Sequence, residues 1–225
     1  MREARFVHLS ATVKFSRLNK DATMRSRYDD PSFNPAGVAL PRFGGPTYAL
    51  RFRLLRLFWM AAWLLLAAWT PPQLRRWRNA LLRIFGARIH ETATVHAKAR
   101  IWWPAHLVME DYASMGPGVI CYNVATITIR SFASVSQRAH LCTGTHDVQD
   151  STFPLVSRPI VIGANAWIAA EAFVGPGVMV GEGAVLGARG VAARSLEAWT
   201  IYVGNPAKPV RARRPEAGAA HALAS

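Results

Sequence analysis

The residues best equipped for chemistry are gathered in "CTGTHD", Cys142 to Asp147. A histidine titrates near neutral pH and can take up and return a proton there. His146 is therefore a candidate base. Such a base needs one ring nitrogen free, so the other N–H must be held by an acceptor. Asp147, Asp150 and a main-chain carbonyl are the candidates for that role. Two other readings stand beside it. His140 lies one six-residue step earlier, so the pair could serve as metal ligands. A loop histidine that only caps a turn is the third. Cys142 is a nucleophile by type, but a thiol next to an inward-facing leucine is more simply a small semi-buried side chain.

These residues sit at the edge of a regular pattern. Aliphatic or small apolar residues recur every six positions at Ile89, Val95, Ile101 and Leu107, then at Met109, Met115 and Cys121. They resume at Ile129, Val135 and Leu141, and after a loop at Ile162, Ile168, Val174, Val180 and Leu186. Small residues follow four places later, as at Ala93, Ala99, Ala105, Ala113, Ala133 and Ala139. A period of six fits neither an α-helix nor a sustained amphipathic strand. It fits a parallel β-helix in which each repeat gives one strand and one turn, and three repeats close a coil. The predicted solenoid runs over 89–203, interrupted by a loop at 147–159. His146 stands where that loop leaves the wall.

The rest of the chain is different in kind. Residues 1–46 read as an irregular extension rich in turn formers. Residues 47–88 read as a basic and apolar helical segment. Its run from Leu57 to Trp69 is shorter than the ~20 residues a spanning helix needs. Flanking arginines and tryptophans suit contact with a membrane surface through 51–85, or burial against the main domain or a partner subunit. A second helix is predicted from about Pro72 to Phe85, with Leu74, Trp77, Leu81 and Ile84 at helical spacing. Residues 204–225 form a terminal segment and tail. The net charge is +14, and nine arginines but no acidic residue lie between Pro31 and His90. A basic surface attracts anionic lipid, phosphorylated small molecules or nucleic acid; no nucleic-acid motif accompanies it, so no nucleic-acid partner is expected. Two cysteines and no apolar leader point to a cytoplasmic protein, with peripheral contact on the inner face of the membrane.

Several motifs in order resemble one family. "TPPQLRRWRNALLRIFGARI", "SQRAHLCTGTHD", "PIVIGANAWIAAEAFVGPGVMVGEGAVLGARG" and "GNPAKPVR" are similar to the hexapeptide-repeat acyltransferases. Within these they are closest to colanic-acid-type exopolysaccharide O-acetyltransferases, and they also resemble galactoside and maltose O-acetyltransferases. The resemblance implies a left-handed parallel β-helix, acetyl-CoA as co-substrate, no metal, and a homotrimer with active sites between subunits. It makes His146 the base. It places Trp167, Ala169, Ala170 and Ala188 along the acetyl and pantetheine arm. Arg194, Lys208 and Arg211 fall near the coenzyme's phosphates, and Tyr122 and Asn123 near the acceptor. Two positions depart from the pattern: Ala169 replaces a common glycine, and "GARG" replaces "G-A-x-S".

The resulting expectation is an O-acetyltransferase acting on a sugar or glycolipid hydroxyl in surface-glycan synthesis. A hydroxyl must lose its proton as it attacks a thioester, and a positioned histidine meets that need. The competing readings are a small non-glycan or antibiotic acceptor, a zinc-dependent carbonic-anhydrase-like β-helix, and a non-catalytic scaffold.

Overall fold

The protein is seen in a computed structural model that describes residues 48–214. The expected extension over 1–46 and the end of the tail lie outside the described residues.

The six-residue period becomes a three-sided prism, a left-handed parallel β-helix. One face stacks Arg88–Ile89, Leu107–Met109, Ile127–Ile129, Ile160–Ile162 and Met179–Val180. The second stacks Thr94–Val95, Ser114–Met115, Ser134–Val135, Trp167–Ile168, Val185–Leu186 and Thr200–Val203, and an antiparallel strand, Lys208–Ala212, closes its far edge. The third stacks Arg100–Ile101, Ile120–Tyr122, His140–Cys142, Phe173–Val174 and Val191–Ala192. The in-phase residues read from the sequence are the inward columns. On the second face Val95, Met115, Val135, Ile168 and Leu186 lie one above another, all buried. Stacking removes each apolar side chain from water at about 25 cal/mol per Å², which no single coil can do alone.

The slips in the period have a structural cause. Ile89 lies under Met109, and Met109 under Ile129, a step of twenty residues. Later coils step by eighteen, with Ile162 under Val180. The longer coils use three-residue strands in which both end residues, such as Leu107 and Met109, point inward. Ile129 pairs with Ile162 even though thirty-three residues separate them, so the loop is inserted without disturbing the register. At the corners the residue before a buried alanine takes positive φ, as at Phe132, Arg138, Asn165 and Glu171. This αL conformation turns the chain at each corner. Ala105 departs from the expectation: it is exposed, in a 3-10 turn over Pro104–His106.

A parallel solenoid has an open edge at its first coil, where carbonyls have no strand below them. Two helices supply the missing donors. Helix α1 spans Leu50–Leu66, and α2 spans Arg75–Ile84 after a 3-10 turn at Pro72–Leu74. Trp59 Nε1 donates to Ile101 O and Trp63 Nε1 to Ala97 O. Arg78 Nε donates to Val95 O, Asn79 Nδ2 to Ala93 O, and Arg83 Nε to Ile89 O. Arg75 reaches the carbonyls of Glu91 and Thr92. Buried carbonyls left unpaired would each cost about 1–3 kcal/mol, so the cap is a condition of folding.

The sequence leaves α2 open between a membrane surface and the main domain, and in the structure it packs on the first coil. Its inward face carries Arg78, Asn79, Leu81 and Leu82, whereas Leu74, Trp77 and Ile84 are exposed, Ile84 by 78%. The edge of the solenoid needs donors as well as hydrocarbon, so Arg78 and Asn79 turn in beside Leu81 and Leu82. The arginine-rich composition is likewise partly internal. Helix α1 presents Phe52, Arg56, Trp59 and Trp63 to the first coil at helical spacing. Among the described residues no helix is long and apolar enough to cross a membrane.

Arg78 is the most committed of these caps. It is 1% exposed and also donates to Thr70 Oγ1, Pro71 O and Pro72 O. Burial lowers its pKa. Arg78→Ala should reduce stability by about 3 kcal/mol in urea unfolding, because it strands several acceptors at once. Arg78→Lys should recover only part of this, since one ammonium cannot span the same fork of acceptors.

Candidate active site

The third face delivers the chain to the site. After His140–Cys142 the backbone leaves the prism as a hairpin, Gly144–His146 antiparallel to Leu155–Ser157, with His146 opposite Leu155. It rejoins the first face at Ile160. His146 is stacked on the Phe153 ring, with centroids 4.4 Å apart and planes 7° apart. Its Nδ1 lies 3.0 Å from the Phe153 carbonyl. A carbonyl can only accept, so this bond puts the proton on Nδ1 and leaves the Nε2 lone pair available. The imidazole is thus held in the tautomer a general base requires.

Neither aspartate makes that contact. Asp147 Oδ1 accepts from the Gln149 amide. Asp150 Oδ1 accepts from the amide and hydroxyl of Thr152, and these bonds hold its carboxyl below the usual range. Both carboxylates shape the loop that carries the Phe153 carbonyl. Of the three orienting groups expected, the structure selects the main-chain acceptor.

Cys142 is half-buried, and Sγ donates to Gly144 O. Burial pushes its thiol pKa up, opposite to the shift a nucleophile needs. His140 lies on the wall of the third face, edge-on to Phe173. Among the described residues no three of His, Cys, Asp and Glu converge as a metal-ligand set.

The predicted coenzyme residues divide between two places. Trp167 stands outward on the second face, 46% exposed, with Nε1 bonded to Ser136 Oγ at 2.8 Å. Trp167 pairs with Val185, Val185 with Ile201, and Ile201 with Arg211. Tryptophan and arginine therefore end one row of four strands, about 14 Å long at the usual strand spacing. Lys208 lies on the same terminal strand, opposite Val203. Ala169, Ala170 and Ala188 occupy the adjoining corners, just after the strands Trp167–Ile168 and Val185–Leu186. The Ala169 amide donates to Leu186 O and the Ala170 carbonyl accepts from Arg189 N. Those two groups belong to the coil ladder. Arg194 does not share the row; it is exposed after the last strand of the third face.

Of the expected acceptor residues, Asn123 is fully buried. Its Oδ1 accepts from Trp103 N and its Nδ2 donates to Trp103 O. It bridges two coils at the widened corner. Tyr122 is half-exposed beside the hairpin: a Cβ placed on Gly144 would come within 2.8 Å of its ring. Gly144 and His146 are two residues apart in one strand and project from the same side. Tyr122 therefore lines the side of the hairpin from which His146 projects. Sequence reasoning missed two parts of this region, the Phe153 stack and carbonyl and the aromatic cluster behind Tyr122. Neither has a spacing signal, because both depend on where a loop and a distant helix come to rest.

No family model matches the chain. Over 178 residues it is 41% identical to a protein named colanic acid biosynthesis acetyltransferase WcaF, from Escherichia coli strain K12. That match covers 79% of this chain and 96% of the relative. The chain belongs to this hexapeptide-repeat acetyltransferase family. Solved structures share its fold. A maltose O-acetyltransferase from Clostridium difficile 630 aligns with a TM-score of 0.66 at 20% identity, over 74% of this chain and 90% of the other. A galactoside acetyltransferase in complex with coenzyme A aligns with a TM-score of 0.65 at 19% identity, over 80% and 92%.

Two substitutions test the local geometry. Cys142→Ala should leave acetyl transfer near the wild-type rate, and Cys142 should alkylate slowly in native protein; a large activity loss would restore it as a nucleophile. Gly144→Ala should displace Tyr122 or the hairpin and lower activity while the thermal midpoint changes little, read by a coupled thiol-release assay and calorimetry.

Proposed function

We propose that the protein is an acetyl-CoA-dependent O-acetyltransferase acting on a sugar hydroxyl during exopolysaccharide or other surface-glycan assembly, with His146 as general base. The observation that carries this reading is the bond between His146 Nδ1 and the Phe153 carbonyl. Nε2 then accepts the proton of the attacking hydroxyl. The new C–O bond forms at the acetyl carbonyl, the tetrahedral intermediate collapses, and the C–S bond breaks. The imidazolium returns its proton to the departing thiolate. No protein nucleophile enters the sequence. The family's WcaF relative, named for colanic acid biosynthesis, supports the glycan setting, and the coenzyme A complex of a fold neighbour supports the donor.

The active form in this reading is a homotrimer. His146 departs from the corner between the third and first faces, whereas Trp167, Lys208 and Arg211 stand on the second. In a three-sided prism that corner is opposite the second face. One protomer thus holds base and coenzyme row apart, and a neighbouring copy would complete each site.

We also infer peripheral contact with an anionic bilayer through α1 and α2. Leu57, Phe58, Leu64 and Leu65 on α1 are each more than 60% exposed, and Trp69, Trp77 and Ile84 extend the patch. Exposed Arg53, Arg76 and Arg88 flank it, and no acidic side chain is present between Pro31 and His90. Apolar side chains with a cationic rim match a headgroup layer.

His146→Ala should lower turnover by roughly 10²–10⁴-fold, with oligomeric mass unchanged in light scattering; near-normal turnover removes the assignment. Wild-type protein should float with phosphatidylglycerol vesicles, and the double variant Leu57→Glu, Leu64→Glu should not. Equal flotation of the two would discard the membrane contact.

A further inference from the structure

The N-terminal helix brings one cation into the acceptor side of the site. Tyr48, Phe52 and Arg56 form a stripe at helical spacing that meets Trp102 and Tyr122 from the solenoid. The Arg56 guanidinium carbon lies 4.4 Å from the centre of a Trp102 ring. Its Nε is buried and has no hydrogen-bond partner. Among the described residues the only carboxylate in an ion pair is Glu171, with Arg138 and Arg189, so none of the described carboxylates neutralises Arg56. Burial raises the pKa of both phenols, Tyr48 and Tyr122, so they are neutral hydroxyls at neutral pH and do not neutralise it either.

Contrast with the other inward-facing arginines is informative. Arg75, Arg78 and Arg83 each donate to a main-chain carbonyl of the first coil. Arg56 is turned toward the same solenoid, lies over the Trp102 ring and is partly desolvated, yet its Nε has no hydrogen-bond partner. A guanidinium with an unpartnered Nε, held over an indole, is prepared for a planar or tetrahedral oxyanion. Desolvation strengthens that attraction, because charge is less screened there than in water.

The position ties this cation to the base. Trp102 and Tyr122 are in edge contact, with centroids 5.7 Å apart. Tyr122 in turn touches the side of the hairpin from which His146 projects. Gly144 and His146 are separated by about 7 Å of extended strand. Aromatic surface therefore runs from Arg56 to Tyr122, one strand step short of the base, and sugar rings pack their C–H faces on such surfaces.

We propose that Arg56, with Trp102 and Tyr122, is an anion subsite for the diphosphate of a glycosyl diphosphate acceptor, whose sugar then lies over Tyr122 with a hydroxyl toward His146. This rests on the acetyltransferase reading for its orientation, but the binding itself does not require catalysis. Two sources share the chemistry, a nucleotide sugar and a polyprenyl-linked sugar.

The test is calorimetric titration of inorganic pyrophosphate into full-length protein saturated with coenzyme A, which blocks the coenzyme's own phosphate site. Wild type should bind, Arg56→Gln should bind at least tenfold more weakly, and Arg56→Lys should fall between. In wild type, pyrophosphate should also slow dicarbonyl modification of Arg56, mapped by mass spectrometry, a readout that needs no variant to fold. Competition by uridine diphosphate–glucose against a micellar polyprenyl diphosphate identifies the source. Equal affinity in wild type and Arg56→Gln, or unchanged modification kinetics, overturns the subsite even if His146→Ala abolishes turnover. Binding that persists while His146→Ala remains active would instead overturn the catalytic reading and leave the subsite standing.

Discussion

A parallel solenoid cannot begin without help, because its first coil exposes a ring of carbonyls with no strand beneath. In this protein that ring is met by side-chain donors: two indoles, one carboxamide and three guanidiniums. The arrangement explains why the preceding helices are where they are. It explains why α2 buries Arg78 and Asn79, and why an arginine can be 1% exposed with no acidic partner among the described residues. An uncovered edge would also be a template for pairing with other chains. At the far end the same hazard is met differently, by an antiparallel strand that folds back over Thr200–Val203.

The solenoid was legible from residues alone because its inward columns are set by a fixed count. Val95, Met115, Val135, Ile168 and Leu186 fall where the period puts them. The helical cap was not legible in the same way. Apolar periodicity in α2 picked out Leu74, Trp77, Leu81 and Ile84 for a membrane surface or the main domain, and of these only Leu81 is buried. Periodicity reports where hydrocarbon lies, but the first coil presents acceptors, and that demand is visible only once the coil exists. His146 was legible through its motif, whereas its partner was not. A main-chain carbonyl has no side-chain signature, so it stood as a candidate beside Asp147 and Asp150 without a residue number, and Phe153 could not be named.

The candidate site gathers its rigidity from outside itself. The imidazole is clamped between a ring and a carbonyl on the return of one hairpin. That hairpin leans on Tyr122, Tyr122 on Trp102, and Trp102 on α1. Capping and the proposed catalysis are thus joined in one helix: the segment that closes the open edge also builds the wall beside the candidate base. This coupling gives the basic, apolar stretch before the repeats a part in the proposed chemistry as well as in folding and membrane contact.

The insertion after Thr143 leaves the stack above it unshifted, since Ile129 still lies under Ile162. Closing a loop costs free energy only as the logarithm of its length. The prism therefore behaves like a loom with a fixed warp, into which weft of varied length can be passed at one corner. Diversification of acceptor range has a cheap route here, through the loop rather than the coils. A library built by varying the loop outside the clamp of Phe153 and His146 would explore new acceptors on an unaltered frame.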